Sequence, residues 1–305
     1  MPPDSVVAVD VGGTAIKAAR IADDGSIEDT ITVPTPAGET AIVERVTAVI
    51  AELRTSRTVA VGLSTPGLVD DDTGIVAYAA NLGFDRTPLA YMVEAKSGLR
   101  TVLKHDVRAA CLAELRVADS VEQDMILVVL GTGLAAGFVV AGSVVTGASN
   151  IAGEFGHIPA VPNGEHCGCG QYGCLEAYAS AGGLLRRYHR DGGTEDTVEK
   201  MVAVLETDPL SARIWSEGMQ ILGRALVTAT VMFDPAVIVL GGGMSGAGHH
   251  LLDPVREHLA DGLAWRSPPP VRLTRLGASA GMLGAAVHAF ASISGTFDTS
   301  TWRRG

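Results

Sequence analysis

Residues 6–10, VVAVD, are a continuous apolar, mostly β-branched run ending at a carboxylate, which is the pattern of a buried strand. A Val11-Gly12-Gly13-Thr14 turn follows. Residues 16–22 and 26–33 then return as two further strands around Asp23-Asp24-Gly25. Apolar residues at 42, 43, 46, 49, 50 and 53 recur at helical spacing and predict a helix over 40–53. Residues 58–63 read as another strand, which empties into STPGLVD (64–70), a loop of turn formers. NLGF (81–84) is a second polar loop with a glycine. A short strand at 101–103 leads into Lys104-His105-Asp106, and a helix begins there with Asp106 near its N-terminus.

The pattern then restarts. Residues 125–130 predict a strand, Gly131-Thr132-Gly133 a turn, 134–140 the returning strand and 143–145 a third short one. Strand, glycine-threonine turn, strand, polar turn, strand therefore occurs twice, as in a duplicated fold. The tip of such a hairpin exposes backbone N–H groups, and glycine lets a phosphate approach them. Neither turn is a P-loop or a G-x-G-x-x-G fingerprint. Helices are predicted at 175–190, 197–205 and 211–232, and a buried strand at 235–240. Gly241-Gly242-Gly243-Met244-Ser245-Gly246 follows, a run that lets a flat ring or a phosphate lie against backbone. A last strand at 271–273 precedes a small-residue helix at 278–290, and residues 298–305 are expected to fray. No Pro/Ser-rich linker separates the halves, so they are expected to share a broad contact and a cleft.

Between Glu154 and Glu176 lie Cys167, Cys169 and Cys174, three of the four cysteines of the chain. His157 and His166 stand close by in sequence. Three thiols and one imidazole suit a tetrahedral Cys3His zinc site, closed and therefore structural, with either histidine as the fourth ligand on spacing alone. A C-x-C pair is too close to bridge comfortably, and three cysteines leave one over, which disfavours a disulfide.

Composition narrows the partners. With 305 residues, 47% hydrophobic and 19% charged, the chain is globular and long enough for two domains. A formal charge of −11 argues against nucleic acid or an anionic membrane as partner. Residues 125–153 carry no charge, but glycines at 131, 133, 137 and 142 and β-branched residues mark strands rather than a membrane helix. The start of the chain lacks a signal-peptide pattern, and few, clustered cysteines suit a reducing compartment, so a cytoplasmic location is expected.

Taken together, DVGGT (10–14), STPGLVD (64–70), HD (105–106), GTG (131–133), GEFGH (153–157), CGCGQYGCLE (167–176) and GGGM (241–244) resemble the ROK family of sugar kinases over about residues 6–290. The resemblance implies an α/β, duplicated two-domain actin-like ATPase (ribonuclease H-like) fold with a cleft between the domains. Residues 1–106, completed by a helix at about 278–292, would form one domain and residues 107–277 a larger one with the zinc loop. It implies that Asp10, Gly12, Gly13 and Thr14 meet ATP phosphates and Mg2+, that Gly131, Thr132 and Gly133 form the second phosphate loop, and that Gly241, Gly242, Gly243 and Met244 lie by the adenosine. Asp106 would be the catalytic base. Gly67, Asn81, His105, Glu154, His157 and Glu176 would contact the sugar. The same resemblance selects His157 over His166 as the zinc ligand beside Cys167, Cys169 and Cys174, and implies a homodimer or homotetramer. An aspartate, with a reference pKa of about 3.9, cannot fully deprotonate an alcohol in the ground state, but it can take the proton as the bond to phosphorus forms. An Asp in this place can also be a plain helix cap.

The chain departs from the family at three points. Ala15 replaces a longer residue, Ala135 replaces a glycine after GTG, and His105 stands where the family carries an Asn that reaches the sugar 3- and 4-hydroxyls. Neutral His offers one acceptor, which suits a 3-amino group. The expected substrate is therefore 3-amino-3-deoxyglucose (kanosamine), phosphorylated at its 6-hydroxyl, with an ordinary glucokinase or another hexose or N-acyl-hexosamine kinase as alternatives. A sugar-responsive repressor would need a winged helix ahead of the first strand, and none is expected. GGGM fits an adenosine contact better than a polyphosphate donor.

Overall fold

A computed structural model describes residues 4–117, 122–295, 297–299 and 302. The chain forms two compact units, one of Met1–Val121, Thr146–Ala152 and Ser279–Gly305, the other of Glu122–Val145 and Gly153–Ala278.

The first unit opens with the strands β1 (Ser5–Val11), β2 (Ala15–Ala22) and β3 (Ile27–Pro34), then helix α1 (Glu39–Leu53) and β4 (Thr58–Thr65). Three short strands follow, β5 (Leu68–Asp70), β6 (Ile75–Ala79) and β7 (Phe84–Thr87), and then α2 (Leu89–Ser97), β8 (Thr101–His105) and α3 (Asp106–Arg116). The main sheet has the order β3-β2-β1-β4-β8, and β5-β6-β7 form a small antiparallel sheet of their own. β5 lies within the segment 64–70 and β7 starts at the end of 81–84, both expected as loops, and no element is expected at 75–79, because these few residues mix polar and apolar types without a clean alternation.

The second unit repeats the plan with β9 (Met125–Leu130), β10 (Leu134–Val140) and β11 (Ser143–Val144). Helices α4 (Glu176–Ala179), α5 (Ala181–Arg190), α6 (Val198–Ala203) and α7 (Pro209–Phe233) precede β12 (Val237–Gly241), α8 (His249–Gly262) and β13 (Val271–Leu273). The sheet order is β11-β10-β9-β12-β13, with the same strand senses as in the first unit: two antiparallel pairs, then two parallel ones. The predicted helix over 175–190 is two helices. The Ser180 hydroxyl accepts the Gly183 N–H at 3.0 Å and starts a new helix there, so one apolar pattern spans a break.

The last helix, α9 (Ala280–Ser294), belongs to the first unit. β1 alternates, placing Val7, Val9 and Val11 in the core with α1, while Ala8 and Asp10 point the other way, toward α9. Close approach of α9 depends on missing side chains. A Cβ at Gly62 would stand 2.0 Å from the Ala285 carbonyl oxygen, and one at Gly284 only 1.7 Å from that of Ala109 in α3. The expected fraying beyond residue 298 is corrected at Trp302. Its ring is buried against Phe290 and Phe297, and its indole N–H donates to the Asp23 carbonyl at 2.8 Å. Among the described residues no helix is long and apolar enough to cross a membrane.

Candidate active site and metal centre

In the first unit β1, β4 and β8 run parallel, so their carboxyl ends share one edge, where open α/β sheets hold their ligands. Asp10 lies there opposite Ser64, whose hydroxyl donates to Asp10 Oδ1 at 2.7 Å. β8 delivers His105 and then Asp106, the first residue of α3. Burial pushes the Asp10 carboxyl up to about 6, the Ser64 hydrogen bond pulls it back, and the nearby charge of Asp106 raises it further. Asp106 is therefore close enough for its charge to act on Asp10.

The other predicted residues of this unit collect around the same edge. The turn after β1 closes with the Gly12 N–H donating to the Ala15 carbonyl at 3.0 Å, and Gly13 and Thr14 stand exposed at its tip. A Cβ on Gly13 would sit 2.9 Å from Asn81 Nδ2, so turn and loop touch. Gly67 has φ +113, and a Cβ there would meet the Tyr78 carbonyl oxygen at 2.5 Å. His105 is buried, and its Nδ1 lies 3.3 Å from both Asp106 Oδ1 and the Val107 nitrogen. The Val107 N–H has a shorter partner, Asp106 Oδ1 at 2.7 Å.

The second unit carries the equivalent turn, closed by the Gly131 N–H on the Gly133 carbonyl at 2.9 Å, with Thr132 and Gly133 exposed. Its carbonyls cap α5: the Ala181 and Gly182 N–H groups donate to Gly131 and Thr132. Glu176 Oε2 accepts the Leu134 N–H at 2.9 Å, and Oε1 lies 3.9 Å from Cys167 Sγ. Gly242, at φ +82, presses against Leu130, and a cavity of about 110 Å³ is lined by Gly243, Met244, Gly246, Val198, Val202 and Trp215.

His157, Cys167, Cys169 and Cys174 come together, their ligand atoms all within 4.8 Å of one another. His157 offers Nδ1, 3.8 Å from Cys167 Sγ, and Cys169 and Cys174 Sγ are 3.7 Å apart. A tetrahedron with metal–sulfur bonds of about 2.3 Å has edges of about 3.8 Å, so the donor set fits zinc. Burial and the neighbouring thiols push Cys174 up to about 12. Cys169 is held below the usual thiol range: burial acts against this, but the Gln171 amide and the other two thiols outweigh it. Three sulfurs and an imidazole nitrogen gathered this closely are a cluster arranged to receive a cation. His166 is elsewhere, edge-on to Tyr172. His157 Nε2 faces Glu154 Oε2 at 3.9 Å.

A ROK family model matches residues 6–291. The chain belongs to the ROK family. It is 33% identical to a glucokinase of Streptomyces coelicolor over 92% of this chain and 96% of that protein. It is 30% identical to an N-acetylmannosamine kinase of Shigella boydii over 93% and 98%. Among solved structures it resembles a ROK glucokinase from Streptomyces griseus in complex with glucose and AMPPNP, with a TM-score of 0.84, 33% identity and 94% and 99% of the two chains covered. The fold is accordingly the α/β two-domain fold of the actin-like ATPases.

Four residues of this ROK chain escaped the sequence reading. Ser64 could have been found, since it is a hydroxyl in the STPGLVD loop at a strand end. Trp215 lies on a long amphipathic helix and reads only as core. Asp71 and Arg108 pair across 37 residues, and no local pattern announces such a contact.

Proposed function

We propose that this chain is an ATP-dependent hexose kinase that transfers the γ-phosphate to the 6-hydroxyl of a gluco-configured sugar. The observation that carries this reading is the placement of Asp10 and Asp106 at the carboxyl ends of parallel strands of one sheet, one beside a glycine turn and the other opening a helix. The Streptomyces glucokinase relatives add the substrate class and the nucleotide.

Asp106 accepts the proton of the 6-hydroxyl as the sugar oxygen bonds to phosphorus and the bond to the leaving ADP oxygen breaks. The exposed tips at Gly12, Gly13 and Thr14 and at Gly131, Thr132 and Gly133 hold phosphate oxygens through backbone N–H groups. Gly241, Gly242, Gly243 and Met244 line the adenosine side. Mg2+, when bound, neutralises phosphate charge, and Asp10, costly to ionise alone, is suited to receive it. Gly67, Asn81, Glu154, His157 and Glu176 contact the sugar. Zinc held by His157, Cys167, Cys169 and Cys174 fixes the loop, and with Nδ1 on the metal the His157 Nε2–H is left as a donor.

His105 bears on the identity of the sugar. The Val107 N–H is shared: Asp106 Oδ1 accepts it at 2.7 Å and His105 Nδ1 at 3.3 Å. With Nδ1 accepting the Val107 N–H, the neutral ring carries its proton on Nε2. Kanosamine as the preferred substrate rests on the replacement of the family's Asn by His105, whose neutral ring is larger and differently aimed. The enzyme is further read as a cytoplasmic homodimer or homotetramer.

ADP release on adding sugar and MgATP tests the activity, and Asp106→Asn should abolish it. Comparing kcat/KM for kanosamine and glucose tests the finer reading. A large glucose preference would reject the amino sugar, and His105→Asn should move the ratio toward glucose.

A further inference from the structure

Arg108 is 2% exposed, and its guanidinium forks onto one carboxylate, with Nε 3.1 Å from Asp71 Oδ2 and Nη2 2.8 Å from Oδ1. Its remaining contacts are backbone carbonyls: Nη2 donates to Val69 at 2.7 Å and Nη1 to Asn150 at 2.9 Å. Lys104 Nζ adds a third cationic donor to Asp71 Oδ2 at 3.0 Å. Burial alone would raise the Asp71 carboxyl, but the Arg108 hydrogen bonds and the charges of Lys104 and Arg108 outweigh it and hold it below the usual range.

A buried ion pair is an expensive way to stabilise a fold, since hydrophobic residues of similar volume often serve as well or better. What distinguishes this one is where it ends. Asp71 Oδ1 also accepts the backbone N–H of His105 at 3.0 Å. β8 is the edge strand of its sheet, so that outward amide has no strand partner. Arg108 sits in the first turn of α3, two residues past Asp106. The pair thus holds the backbone N–H of the residue before Asp106 and anchors the side chain two residues after it, through Asp71, Val69 and Asn150.

We infer that Asp71 and Arg108 are positioning residues that set the backbone of His105 and Asp106, and so aim the proton acceptor and the 3-position reader at the sugar. This rests on the reading of Asp106 as base. Misplacement of about 1 Å at a reacting group can cost about 10²-fold in rate.

The test measures kcat, both KM values and Tm for Asp71→Asn, Arg108→Lys and the double variant Asp71→Asn/Arg108→Met, each assayed well below its own Tm. Arg108→Lys keeps the charge and loses the fork, so it reads out position even if the charge-removing variants fold poorly. The expected result is a kcat down by about 10²-fold per folded molecule, a changed kanosamine-to-glucose ratio and a KM for ATP moved by less than about twofold. A purely structural pair would lower Tm alone; Arg108→Lys with unchanged kcat and unchanged sugar ratio overturns the inference. Asp106→Asn separates the two claims. If it is inactive while the pair variants retain full rate, only the positioning role fails. If it is fully active, the base assignment fails.

Discussion

Glu176 accepts the backbone N–H of Leu134 at 2.9 Å across 42 residues of sequence, while its second oxygen faces Cys167. One carboxylate therefore ties the residue after the second glycine turn to the cysteine loop. Removing it leaves a buried strand-end amide without its charged acceptor, a loss of about 1.5–3 kcal/mol. Glu176→Ala should therefore raise the KM for ATP as well as for sugar, each by about tenfold or more, because the turn loosens with the loop. Glu176→Gln retains an acceptor for Leu134 and should spare the ATP KM while weakening the sugar. Steady-state kinetics with each substrate varied in turn separate these outcomes.

Asp10 and His288 give opposite pH signatures. Asp10 is raised to about 6, so its stabilising contribution is complete below about pH 4 and is lost as pH rises through 6. His288 is lowered to about 4, first by burial and then by the charge of Lys104, with Asp71 opposing. Its stabilising contribution is present above about pH 6.5 and is lost as pH falls toward 4. Each shift is worth up to about 3 kcal/mol, and between pH 4 and 6.5 they offset each other. Asp10→Asn should therefore raise Tm at pH 7 without nucleotide, expose a steep acid loss of stability, and cut kcat by at least about 10²-fold. Thermal melts from pH 4 to 8 read both effects. Unchanged Tm at pH 7 in the variant would show that the Asp10 carboxylate carries no such penalty.

The repeated strand, glycine-threonine turn and strand was legible because buried strands and tight turns write themselves locally, and the two sheets match it. The cysteine loop was legible because metal ligands must be soft, close and glycine-spaced. Choosing His157 over His166 needed more than spacing, since both are within reach along the chain. The structure separates them by a small ribbon in which His166 pairs with Tyr172. Helices α2 and α8 were missed: α2 has weak amphipathicity, and α8 carries Pro254 within it. Asp71 and Arg108 were missed for a deeper reason. Their meaning lies in a contact made only when β5, β8 and α3 have already assembled.

Gly284 offers a test of how tightly Asp106 depends on its support. Its absent side chain lets α9 press on Ala109 of α3, the helix that Asp106 begins. Gly284→Ala would place a carbon 1.7 Å from a backbone oxygen that cannot swing aside. Helix α9 must shift, at a cost of about 3 kcal/mol or more. A fall in Tm of roughly 6–10 °C is expected, with kcat reduced in the folded fraction because α3 moves. Scanning calorimetry and kcat per folded molecule measure the two parts, and a Tm within about a degree of wild type would contradict the packing.

Metal removal tests the cysteine loop as a unit. Four donors from one loop leave no open position, so zinc here would supply folding energy rather than an activated water. Metal analysis should return about one zinc per chain, and Cys174→Ser should return much less. Without the ion, His157 Nδ1 and the thiols lose their common anchor. The Nε2 that faces Glu154 is then no longer oriented. Sugar KM should rise by about 10–100-fold, the range seen when partners that orient a metal site are lost. Thiols must deprotonate to ligate, and burial holds Cys174 at about 12 without metal, so affinity should weaken as pH falls. Chelator-induced loss of activity should thus be faster at pH 5.5 than at pH 8 and be reversed by zinc but not by magnesium. Full activity in protein shown to be zinc-free would remove the loop from the sugar-binding machinery.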